Sequence, residues 1–350
     1  MKCPRCEANQ KYKYGMTCNG CGYKFVLDPK ARYGITDYAF KLAVDRLSGN
    51  GEYFFTRDQL YAQIYRTIRK KHHLGVLPLS CLGVFVFFFG TAILIGAFSL
   101  GWWAPFLLLF LITIAVILIS RRPFKLPADV PACMIEKYQS RYPIENLVNG
   151  RRFRRMENRI PDEEFFNYAP ERILITEHND MADMLLMNRF HFETKTLVVS
   201  ARKYPSPAFA ACQRFMAEYP DLPVLLIHDC SEEGLQMQGR LVTDSEWHLE
   251  GRQISNLGLH PKDVENLKRP MWLPEKQDES ASGAITTEAG KAMDHIRQSE
   301  RMPLGVAAPR AMLGSMSLAV VGGMALLSEE LLAQQRESDS GRDSTGSGFG

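Results

Sequence analysis

Neither sign of charge predominates in this chain: 42 Lys and Arg face 39 Asp and Glu over 350 residues, a net charge of +3. That balance excludes the global basic field with which a nucleic-acid coat protein gathers phosphates. Short repeats are absent, and 46% of the residues are hydrophobic, so the chain is neither collagen-like nor wholly disordered. Cysteine is sparse: 8 residues spread over positions 3–230 exclude a disulfide-stapled secreted miniprotein. The N-terminus has no apolar run, so no cleaved signal peptide is expected. The most informative absence is local. Residues 74–120 contain no charged side chain at all.

Two apolar runs, at about 76–98 and 103–119, occupy that stretch. Each approaches the roughly 20 residues that cross about 30 Å of hydrocarbon. Trp102, Trp103 and Pro105 between them suit a turn in the headgroup zone. A buried helical hairpin in a large core is the alternative, against which neither run offers a polar face. Arg66, Arg69, Lys70 and Lys71 precede the pair, and Arg121, Arg122 and Lys125 follow it. By the positive-inside rule both flanks are cytoplasmic. The expectation is a multi-pass protein of the inner or plasma membrane, its N-terminus and main C-terminal domain facing the cytoplasm and the lipid bilayer among its partners.

Cys3-Pro4-Arg5-Cys6 and Cys18-Asn19-Gly20-Cys21 make two CxxC pairs. Each pair wraps two thiolates around one ion, and Gly20 and Gly22 permit the tight second knuckle. Four thiolates give a closed tetrahedral site, hence structural Zn²⁺ in a zinc ribbon at residues 1–26. Two disulfides, or a redox-active pair, are the other readings. Lys11, Lys13, Tyr12 and Tyr14 make nucleic acid a candidate partner of the ribbon; a solvated surface is the simpler account.

Further on, Thr36 opens a helical pattern that Gly49-Asn50-Gly51 ends. Thr56-Arg57-Asp58-Gln59 is a capping box opening a second helix, so that 27–73 reads as a helix-turn-helix-like juxtamembrane segment. Residues 121–170 form a basic linker, and 171–275 an α/β domain. There, apolar strands at 173–176, 196–200 and 223–227 alternate with helices at 181–188 and 206–218 and another after Ser231, the pattern of a parallel sheet covered on both faces. Polar residues just past such strands sit where ligands bind. Here these are Glu177 after the first strand and Asp229 after the third, with Glu232 and Glu233 close behind. Two carboxylates at one sheet edge point to Mg²⁺ and, through it, a phosphate; helix caps and loop hydrogen bonds are the plainer alternative. Residues 276–310 read as a linker, 311–334 as a weakly hydrophobic helix with 311–328 a conceivable third span, and 335–350 as a disordered tail.

Glu177, then Lys203-Tyr204-Pro205, then Leu222-Pro223-Val224 running to Asp229-Cys230-Ser231-Glu232-Glu233-Gly234, resemble the TOPRIM domain. The likeness is to the version in the A subunit of type IIB topoisomerases and the related meiotic DNA transesterase, with its TG-x-G-Y-P segment before D-x-D-x-x-G. Residues 256–264 are similar to the next segment of that family, and Arg57-Asp58-Gln59-Leu60-Tyr61 resembles the R-[DE]-x-x-Y motif around the nucleophilic tyrosine. The resemblance implies Tyr61 as nucleophile and Glu177, Asp229 and Glu232 as Mg²⁺ ligands. The sequence departs from it where Ser231 replaces the second aspartate and Ser200-Ala201-Arg202 replaces the Thr-Gly.

The expected molecule is thus a multidomain membrane protein with a zinc ribbon, a transmembrane α-hairpin at 74–120 and a TOPRIM-like α/β domain. Its expected work is binding or scaffolding of a protein or a phosphate-bearing ligand, and a homodimer is compatible with it. Mg²⁺-dependent phosphoryl transfer on nucleic acid, as a DNA strand transesterase or nuclease, is the alternative.

Overall fold

The computed structural model describes residues 1–74, 126–127, 129–153, 169–267, 270–275 and 290–322. Two compact units divide the chain: Met1–Lys41 with Gln63–Arg141, and Leu42–Ala62 with Tyr142–Gly350.

In the first unit, short backbone bridges (Lys2 with Asn9, Thr17 with Lys24) support the two cysteine knuckles. Helix α1 (Asp37–Ser48) begins at Asp37, which is buried. Its carboxylate accepts from Tyr23 Oη and Val26 N at 2.9 Å and from Leu27 N at 2.8 Å, so the ribbon's last strand-like turn is tied to the helix start. Three donors compensate a buried carboxylate, which alone would be costly. Helix α2 (Arg57–Leu74), whose residues up to Ala62 belong to the second unit, opens with the capping box the sequence predicts: Thr56 N donates to Gln59 Oε1 at 2.8 Å and Gln59 N to Thr56 Oγ1 at 3.3 Å. Helix α3 (Asp129–Gln139) places Tyr138 on the ring of Phe40, centroids 4.2 Å apart.

The second unit is built on a four-stranded sheet, β1 (Arg172–Thr176), β2 (Thr196–Ser200), β3 (Val224–Ile227) and β4 (Ile254–Asn256), in the order β2-β1-β3-β4. Every pairing is parallel, with Ile173 opposite Leu197 and Val224. Helices α4 (Asn179–Met187), α5 (Phe190–Thr194), α6 (Ser206–Glu218), α7 (Glu232–Thr243) and α8 (Pro261–Glu265) fill the connections. Successive strand residues point to opposite faces, and two separate cores result. Leu174, Val198 and Ile227 pack with Met184, Leu185 and Phe190 on one face. Ile173, Val199 and Leu226 pack with Phe209, Met216 and Trp247 on the other. Strands buried on both sides must be apolar throughout, which is why these three were readable as strands.

The described residues 290–322 contribute to the first of those cores. Strand β5 (Leu273–Pro274), helix α9 (Lys291–Arg297), strand β6 (Glu300–Arg301) and helix α10 (Pro309–Gly322) come next, with β5 and β6 antiparallel. Met293, Ile296, Met302, Leu304, Met312 and Met316 are all buried there. Met312, Met316, Ala319 and Val320 recur at helical spacing and form the inward stripe of α10.

The expected multi-pass membrane architecture is corrected: among the described residues no helix is long and apolar enough to cross a membrane. The longest of them, α2 at 18 residues, carries Arg57, Asp58, Arg66, Arg69, Lys70 and Lys71. Helix α10, from the weakly apolar stretch at 311–328, has 14 residues. The apolar stripe of its described residues packs into the sheet core. The runs at 76–98 and 103–119, on which the transmembrane α-hairpin and the inner- or plasma-membrane localisation rested, lie outside the described residues. What stands is the parallel α/β sheet and the cysteine cluster.

Candidate functional site

Two groups of chemistry-bearing side chains stand out, one in each unit. In the first, Cys3, Cys6, Cys18 and Cys21 lie close enough together to hold one metal ion. Cys3 Sγ is 3.6 Å from Cys21 Sγ, and Cys6 Sγ is 3.6 Å from Cys18 Sγ. The two knuckles are built alike. Glu7 N donates to Cys3 O and Gly22 N to Cys18 O, and both Glu7 and Gly22 have positive φ, 59° and 71°. Glycine adopts that conformation freely, whereas Glu7 holds it at a modest cost. Backbone N–H groups of Gly20 and Cys21 pull the Cys18 thiol down to about 7, toward the thiolate form that a metal requires.

The second group sits at the C-terminal ends of β1 and β3. The strand order turns back between those two, so this is the sheet's switch point, where α/β proteins bind ligands. Glu177 and Asp229 meet there as the sequence predicts. Glu177 Oε2 accepts from Asp229 N at 2.7 Å, and Oε1 from Ser231 Oγ at 2.9 Å. Ser231 Oγ in turn accepts from Gly234 N at 2.8 Å and so caps α7. Ser231 is therefore a hydrogen-bond donor to the neighbouring carboxylate, a role no ionised aspartate can take.

Other members of the group carry no local signal in the sequence. His178 Nε2 is 3.3 Å from Asp229 Oδ2 and 3.6 Å from Glu177 Oε1. Arg301, from β6, ion-pairs with Asp229 through Nη1 and with Asp58 Oδ2 through Nη2 at 2.6 Å. Leu304 N donates to Asp229 Oδ1 at 2.8 Å. Through Arg301, Asp58 at the start of α2 is brought to the site. Tyr61, one turn further on, is buried with 7% of its surface exposed. Glu232, the expected third ligand, accepts from Gln236 Nε2 at 3.4 Å on α7. Glu233 joins the site instead. Glu177, Glu233 and Glu275 have carboxylate oxygens close enough to hold one ion, as do Glu177, His178 and Asp229.

Burial lifts the Glu177 carboxyl to about 7, opposed by the positive field of His178. Burial also lifts Glu275 to about 7, with Glu177 adding to the effect. Burial works against charge on His178, but Glu177 and Asp229 outweigh it and carry the imidazole to about 10. Burial would raise Asp229 as well; Arg301 and His178 instead hold it below its ordinary range. One carboxylate is thus firmly ionised and the other is balanced near neutrality.

No family model, no curated protein and no solved structure matches this chain. The chemistry of the donor set therefore has to speak for the site. A resident Mg²⁺ wants open carboxylate oxygens in a near-octahedral shell. All four oxygens of Glu177 and Asp229 already accept from the chain, and one of those donors is the cationic Arg301. Glu177 and Asp229 do not fit a dication while Arg301 stays in place.

Proposed function

We propose that the α/β unit, whose motifs resemble those of a TOPRIM domain, is a binding or scaffolding module, and that Cys3, Cys6, Cys18 and Cys21 hold one structural Zn²⁺. The observation that carries the first part is the saturation of Glu177 and Asp229 by the protein's own donors. Glu177 and Asp229, turned inward upon the chain's own donors, leave no open oxygen with which to hold a metal against a phosphodiester. The burial of Tyr61 works in the same direction. Between the two ligand classes, a protein partner is favoured over a phosphate-bearing one, because the carboxylates Asp58, Glu177, Asp180, Asp229, Glu233 and Glu275 outnumber the cations His178 and Arg301 and the two arginines on Glu233, Arg202 and Arg240. Phosphate is repelled by such an excess of acid unless a metal intervenes. For the cysteines, four thiolates without an open position suit structural zinc.

The second reading, Mg²⁺-dependent phosphoryl transfer on nucleic acid, is favoured by one observation, the closeness of Glu177, Glu233 and Glu275. Incubating the full chain with plasmid DNA and Mg²⁺ separates the two. The binding module leaves the DNA intact and forms no protein–DNA adduct. A covalent tyrosyl adduct that disappears in Tyr61→Phe overturns it. For the ribbon, elemental analysis of the full chain is expected to give one zinc per chain, lost when Cys3 and Cys18 are both replaced by Ser.

A further inference from the structure

We infer that Arg301 is the resident cation shared by Asp229 and Asp58: beside His178, its guanidinium stands at Asp229 where a metal-dependent site keeps its ion. This rests on the reading of the α/β unit as a non-catalytic module and adds what neutralises that module's acidic centre. One planar guanidinium reaches two carboxylates on different elements, Asp229 after β3 and Asp58 at the start of α2. A rigid fork with several donors suits that bridging, as a lysine would not.

The guanidinium is also held there by backbone on both sides. Residue 300 pairs with Pro274 and residue 301 with Leu273. Cys230 N donates to Met302 O, and Met302 N to Cys230 O, both at 3.0 Å. Leu304 N takes the second oxygen of Asp229 at 2.8 Å. Arg301 therefore does not swing in from solvent; the strap 299–304 delivers it, and Met302 and Leu304 on that strap are buried in the core. With 17% of its side chain exposed, it is placed to exclude a second cation by like charge at short range.

The arrangement makes a strong demand on the neutral variant. Arg301→Met keeps most of the stem's packing and removes the charge, so Asp58 loses its ion pair and Asp229 keeps only His178, 3.3 Å away, which frees an oxygen of each carboxylate for a dication. The test uses the full, zinc-loaded chain and Mn²⁺ as probe, free Mn²⁺ being read by electron paramagnetic resonance. Arg301→Met is expected to bind Mn²⁺ at least about tenfold more tightly than wild type, which corresponds to about 1.4 kcal/mol. Adding Asp229→Asn to it should return the affinity to the wild-type level. Wild-type protein that binds Mn²⁺ as tightly as Arg301→Met, and loses it with Asp229→Asn alone, overturns the inference.

Should Arg301→Met lose its cooperative thermal transition, the wild type decides. Its Arg301 Nε–H resonance is expected to stay sharp with a stoichiometric excess of Mn²⁺. Paramagnetic broadening of that resonance, absent in Asp229→Asn, overturns the inference as well. The two readings fail separately. Asp229-dependent Mn²⁺ binding without any DNA adduct sinks the resident arginine and leaves the binding module, whereas a tyrosyl adduct sinks the module itself.

Discussion

Ser231 does two jobs with one hydroxyl: it caps α7 through Gly234 N and donates to Glu177 Oε1. Ser231→Ala removes both, at a cost of about 1 kcal/mol for the cap and about 1–3 kcal/mol for the orphaned buried carboxylate oxygen. Urea unfolding is expected to show a loss of roughly 2–4 kcal/mol. Ser231→Asp would restore the D-x-D pattern but set a second carboxylate against Glu177. It is expected to be less stable than wild type, and equal or greater stability would contradict the donor role. Gly258 makes a similar point by its lack of a side chain. A Cβ there would land on the buried His228 ring, so Gly258→Ala is expected to lower stability by about 1–3 kcal/mol. At this scale the sequence was half readable. Glu177 and Asp229 could be named because they follow apolar strands. The hydroxyl of Ser231 looked like a missing ligand because spacing cannot tell a donor from a gap.

The elements around the site set its response to pH. Glu177 stands at the end of β1 with its folded value raised from 4.5 to about 7, by burial first. A raised value means stability that is fully present below pH 4.5 and lost as pH rises through 7. The effect is bounded by roughly 3 kcal/mol. His178, at the start of α4, acts in the same direction over a higher window, from 6.5 to about 10. Asp229, after β3, has a depressed value, so its contribution is present above 3.8 and is lost on further acidification. Glu177 and His178 therefore make stability decline as pH rises toward 8, while burial of His191, which holds its imidazole down to about 4, opposes Glu177 below pH 6.5. Glu177→Gln should flatten the decline between pH 4.5 and 7; an unchanged slope would show that Glu177 does not titrate there. The elements themselves were legible wherever local chemistry decides them. Both halves of the Thr56–Gln59 capping box form, and β2 and α6 fall at 196–200 and 206–218 as the hydrophobic pattern indicates.

Across the whole molecule, the C-terminal part of the chain is as much core as the sheet. Removing everything after Gly290 would strip Met293, Ile296, Met302, Leu304, Met312 and Met316 from one face, each worth about 1.5–3 kcal/mol. It would also leave Asp229 buried without Arg301 or Leu304 N. The truncated chain is expected to show no cooperative unfolding transition by circular dichroism, and a sharp one would refute the packing described. Chelation of the proposed zinc should unfold the ribbon, since about 25 residues cannot fold on a core of their own. Loss of ribbon amide protection in hydrogen exchange, with the sheet unchanged, would show it. The sequence by itself determined the parallel α/β sheet, the two CxxC knuckles and the pairing of Glu177 with Asp229. Each of those stems from periodicity or spacing within a short window. Only the tertiary structure decided what neutralises the pair. Arg301 lies 72 residues from Asp229 and 243 from Asp58, and a salt bridge across that distance leaves no pattern along the chain. The same holds for α10, whose weakly apolar stripe became intelligible only once the face of the sheet that it covers was present.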